Sequence, residues 1–171
     1  MNDSPLIFES PEQLAQHLFL VFVMDDKSNF LVRFDFSALA GVDQREYERQ
    51  IFIYLVGIIA LAFTDAPSKD QRFVAALSHL RHRVRAEMRN RWNDTNDAAD
   101  SAVEDAAQDC AHLIFTDPSE DRALSFTWPQ QWLKKSGVDV VNPVTLFRIS
   151  DAWKQAYLTV AEVASRAQFE T

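Results

Sequence analysis

The sequence predicts an all-α fold: one irregular bundle of five to six helices around a buried central helix, with at most one short strand or hairpin near residues 30–36. Three observations carry that expectation. N-cap signatures recur ahead of long stretches whose apolar residues fall at helical spacing. Glycine and proline are scarce, three and six in 171 residues, which leaves little material for the tight turns of an all-β sandwich. The apolar share is 47 %, including thirteen Phe, far above a disordered composition and enough for a substantial core. No repeat, low-complexity tract or linker interrupts the chain, so residues 1–171 read as a single helical domain.

The elements follow in order. Ser10-Pro11-Glu12-Gln13 supplies a capping hydroxyl, Pro at the first helical position and Gln three residues after the cap, opening a helix toward Met24. Asp25 to Asn29 is a turn. Phe30 to Phe36 alternates partly at period two; it is the short strand, or an irregular or helical segment, because a lone strand has no partner. Asp43 with Glu46 is a second capping box, opening a helix through Phe63. Its apolar run, Ile51 to Phe63, has 13 residues. A membrane span needs roughly 17–25, so the run is expected to be the buried central helix rather than a span.

A third helix starts at Ser68 and ends near Trp92, with Phe73, Leu77, Leu80, Val84 and Met88 as its apolar stripe. Asn93 to Asn96 is a turn. The fourth helix runs to about Phe115 and turns Ala99, Ala102, Val103, Ala106, Cys110, Leu113 and Ile114 inward. Asp117 to Asp121 is a loop, and Phe126 to Ser136 is a short aromatic segment interrupted by Pro129. Asn142 and Pro143, a cap followed by Pro, begin the last helix, whose stripe is Leu146, Ile149, Trp153, Ala156, Tyr157, Val160 and Val163.

Charge is distributed in blocks. The net charge is −8, yet residues 71–91 hold six Arg against Glu87 alone, and residues 92–121 hold nine acids with no Lys or Arg. An antiparallel pairing of the third and fourth helices about the Asn93–Asn96 turn would set residues level when their numbers sum to about 187. The basic helix would then lie beside the acidic one, Arg85 near Ala102, and the two blocks would satisfy each other. Acids outnumber bases in this pairing, so a negative surface is expected to remain.

Each chemical alternative meets an objection. The same register brings His79, His82, Asp105, Asp109 and His112 to one level, and His79/His82 and Asp109/His112 are both spaced i, i+3, as bundle metal ligands are. The carboxylate supply is incomplete and nearby Arg side chains would repel a cation, so no metal and no cofactor are expected. Six Arg and Trp92 could meet a nucleic acid, but the adjacent acidic block and a pI near 4.9 oppose it. Cys110 falls on an apolar stripe, which marks an inert core thiol. As the only cysteine it can form no internal disulfide, which suits a reducing compartment. Residues 1–5 lack the positive region of a secretory signal, so a cytoplasmic location is expected. The glycines are isolated and form no phosphate loop, and no catalytic set emerges.

A non-enzymatic protein-binding role is what remains. Small acidic helical domains that mask basic targets include bacterial immunity proteins, antitoxins and secretion chaperones. By that analogy of size and charge, the partner would be a basic protein such as a toxin or secreted effector. The expected contact residues are Asp97, Asp100, Glu104 and Asp105 on the fourth helix, with Trp128 and Trp132 as aromatic anchors. A metal-dependent helical-bundle enzyme and a nucleic-acid-binding regulator using the Arg-rich helix are the alternatives.

Overall fold

The computed structural model describes residues 4–24, 43–65, 71–117, 119, 121, 123–139 and 142–170. The elements in chain order are β1 (Leu6–Phe8), α1 (Pro11–Leu18), α2 (Gln44–Asp65), α3 (Gln71–Trp92), α4 (Asn96–Phe115), α5 (Leu124–Lys134), α6 (Pro143–Arg166) and β2 (Ala167–Phe169). A π-helical stretch, Phe19–Met24, prolongs α1. The fold is the all-α bundle that the sequence predicts, with one minor sheet among the described residues. That sheet pairs β1 with β2 in parallel, Leu6 opposite Ala167 and Phe8 opposite Phe169. Residues 30–36, where a strand was expected, lie outside the described residues.

The helix starts are chemically explicit. Ser10 Oγ accepts from Gln13 N–H, Asp43 Oδ1 from Glu46 N–H, Thr95 Oγ1 from Ala98 N–H and Asn142 Oδ1 from Val144 N–H. Each satisfies an amide that no helical carbonyl can reach. Two helix ends use left-handed backbone. Asn93 stops α3 at φ 62°, and Gly137 follows α5 at φ 76°, letting Val138 N–H reach back to Leu133 O. Pro129 sits inside α5 and removes the N–H that would bond to Ser125 O. The buried Ser150 hydroxyl of α6 donates to that same carbonyl at 2.7 Å, so the proline leaves no orphan there.

The core is one contiguous cluster with α2 at its centre. Gln44–Thr64 is long and apolar enough to cross a membrane, but most of it is enclosed by neighbouring helices. Tyr54, Leu55, Ile58 and Ile59 are fully buried. Around Tyr54 the rings of Trp128, Trp132 and Trp153 meet at 5.7–6.1 Å, edge-on or tilted, which is the geometry aromatic quadrupoles favour. α4 packs far more closely on α2 than on α3. Gly57 makes that approach possible: a Cβ there would lie 2.9 Å from Ala107 N and 3.1 Å from Ala106 C. The close α2–α4 crossing leaves α3 and α4 splayed over the floor that α2 provides.

Candidate functional site

The splay opens a groove of about 300 Å³ between α3 and α4. Val56 and Ala60 of α2 form the floor, Leu80 and Val84 of α3 one wall, and Val103 and Ala107 of α4 the other. The rim is polar: Arg81 on α3, Asp100, Glu104 and Gln108 on α4, and Thr64 on α2. An apolar slot with a few polar groups at its edge is the usual form of a binding site. It follows from two sequence periods, the α3 stripe of large side chains and the small residues of α4. Sequence reasoning missed it; the signal was Gly57 together with the Ala-rich α4, which permits tight helix approach on one side only.

The acidic face lies beside this groove. Asp97, Glu104 and Asp105 are exposed and form no ion pair among the described residues. Asp100 differs: Arg85 grips both its carboxylate oxygens, Nε to Oδ1 at 2.9 Å and Nη2 to Oδ2. That hydrogen bonding holds the Asp100 carboxyl below the usual carboxylate range and the Arg85 guanidinium above its own. The expected antiparallel register is thus displaced by two residues, Arg85 meeting Asp100 rather than Ala102, and Arg89 donates to Asn96 Oδ1 at 2.7 Å.

The two charge blocks do not neutralise each other along their length. Arg83 turns to Glu12 and Gln16 of α1, Arg91 to Glu87 of its own helix, and Arg72 stacks on Phe169. Asp94 is taken by Arg49 of α2. The basic helix is held by several elements, and Asp97, Glu104 and Asp105 of α4 are left facing solvent. Arg81, on the groove rim, makes no hydrogen bond or ion pair among the described residues.

Trp128 and Trp132 require a correction. They are 5 % and 2 % exposed, enclosed by Tyr54 and Trp153, and Trp128 Nε1 donates to Asp109 O at 2.9 Å. α5 is a continuous helix across Pro129, and its i, i+4 pair faces inward because α2 and α6 offer apolar cover there. Neither indole can meet a partner on this surface.

The residues weighed as metal ligands are dispersed. His79, His82 and His112 are exposed, and His112 Nδ1 lies 3.3 Å from Thr116 Oγ1. Among the described residues no group of three His, Cys, Asp or Glu side chains could hold one ion. Asp109 instead joins a clamp across three segments. Tyr54 Oη donates to Asp109 Oδ2 at 2.5 Å, and Lys135 Nζ donates to Tyr54 Oη at 2.7 Å and to Asp109 Oδ2 at 2.9 Å. Burial, reinforced by the Asp109 carboxylate, pushes the Tyr54 phenol well above its ordinary value, so it is a fixed donor rather than a base. Burial likewise raises the Cys110 thiol, which is fully enclosed. Comparison with protein-family models, with curated proteins and with solved structures finds no match to this chain.

Proposed function

We propose that the chain is a non-enzymatic protein-binding domain that neutralises or chaperones a basic protein partner in the cytoplasm, in the manner of an immunity protein or antitoxin. One observation carries this reading. Asp97, Glu104 and Asp105 form an exposed acidic face on α4 with no ion pair among the described residues, while Arg83 and Arg91 of the neighbouring Arg block are paired away from α4 and Arg85 is held by Asp100. Glu104 stands one turn from Asp100, and Asp105 one turn from Asp109, and like charges at that spacing on a helix repel. A cationic partner relieves that repulsion and is steered to the face by its field. Asp100, already held by Arg85, is left out of the proposed partner-facing set.

The test isolates the partner by affinity capture and then measures association at two salt concentrations. Asp97→Lys, Glu104→Lys and Asp105→Lys together should slow association by tenfold or more at low salt, with a smaller change at high salt. The fold should survive, because all three residues are exposed. An unchanged on-rate at both salt concentrations overturns the reading.

A further inference from the structure

We infer that the groove between α3 and α4 is the partner's seat, and that its occupant is one amphipathic helix of about three turns. This rests on the protein-binding reading above and adds the occupant's shape and charge pattern. The groove residues of α4 run from Asp100 to Ala111, roughly 16 Å at 1.5 Å per residue. That length matches about three turns of a docked helix. A volume of about 300 Å³ does not admit a helix backbone, but it accepts a single row of large apolar side chains. Laying i, i+3/i+4, i+7 anchors into a groove is a recurrent mode of peptide recognition. Ala60 and Ala107, half-buried at the floor and wall, leave room for those anchors.

The rim fixes the charge pattern of the occupant. On the α4 rim stands Glu104, with no ion pair among the described residues, while Asp97 lies past the end that Asp100 closes and Asp105 is outside the lining; across the groove stands Arg81. An apolar stripe flanked by Lys or Arg on the α4 side, with an acid on the α3 side, complements both edges. The reverse pattern sets like charges together on both, which is strongly disfavoured at an interface. The Arg85–Asp100 pair closes the groove at the end near the α3–α4 turn, so the helix enters from the end near Leu77 and Ala111.

Three helical peptides of about eighteen residues serve as probes, measured by fluorescence anisotropy against the full chain. The first carries a Leu stripe with Lys on one flank and Glu on the other, ordered to meet α4 and Arg81 respectively. The second exchanges the Lys and Glu positions. The third replaces the stripe by Ser. The first should bind at least tenfold more tightly than either of the others. Ala60→Phe or Ala107→Phe fills the groove and should weaken it at least tenfold. Each variant is checked for an unchanged helical melt, and either one suffices. Equal binding of the first two peptides overturns the assigned charge pattern. Undiminished binding to a folded, filled variant overturns the groove as the seat; if the acidic-face reversal still abolishes that binding, the protein-binding reading stands without it. Binding lost on filling but untouched by the reversal keeps the groove and removes the acidic-face reading.

Discussion

Gly57→Ala tests the geometry from which the groove arises. Alanine in mid-helix is favoured over glycine by roughly 1 kcal/mol on backbone entropy alone, so an unconstrained site would be stabilised. Here the added Cβ meets Ala107 N at 2.9 Å and Ala106 C at 3.1 Å. Both are backbone atoms, so no rotamer change relieves the clash, and α4 must move away from α2. Overpacking of this kind costs typically 1–3 kcal/mol, and the upper part of that range applies where backbone rather than a flexible side chain must yield. The net expectation is destabilisation by about 1–2 kcal/mol. For a chain of this length that lowers Tm by about 3–6 °C. Urea titration followed by circular dichroism supplies ΔG, and a thermal scan supplies Tm. A rise in stability of about 1 kcal/mol, the propensity gain alone, would show that α2 and α4 do not approach so closely, and the groove floor would have to be redrawn.

Two further perturbations address the core. Trp132→Ala removes an enclosed indole and should cost about 3–5 kcal/mol, read as a large loss of the urea midpoint; a change confined to partner binding, with stability intact, would restore the surface role the sequence suggested. Tyr54→Phe deletes a donor to a carboxylate and should cost about 1–2 kcal/mol, since Asp109 keeps Lys135 and access to water. The same variant has a pH signature. The phenol is raised in the folded state, so its contribution is fully present below pH 10 and is lost as pH rises beyond the unfolded value of 10.0. Stability of the native chain should therefore fall more steeply above pH 10 than that of Tyr54→Phe, and parallel curves would contradict the clamp.

The sequence by itself determined the helices, because their signals are local. Ser10, Asp43 and Asn142 cap their own amides within three residues, and an apolar stripe at 3.6-residue spacing identifies its buried face whatever it packs against. α5 was legible only as an aromatic segment, because its tolerance of Pro129 depends on Ser150, twenty-one residues further on. The β1–β2 pair was invisible for a similar reason: three residues carry no periodicity, and the partner strand lies at the other end of the described chain. What remained for the tertiary structure was the assignment of partners. The sequence showed a basic block beside an acidic one but could not say which charges meet. Long Arg side chains reach any of several neighbours, and the choice depends on helix crossing geometry that no local signal encodes. Arg83 went to α1 and Arg91 to its own helix, leaving Asp97, Glu104 and Asp105 to solvent. Trp128 and Trp132 were buried by the same mechanism, since an i, i+4 aromatic pair describes a face but not what covers it. The groove is the clearest case. Val84 and Val103 each read as core residues from their own helices, and only the close seating of α4 on Gly57 parts α3 from α4 and leaves a slot between them.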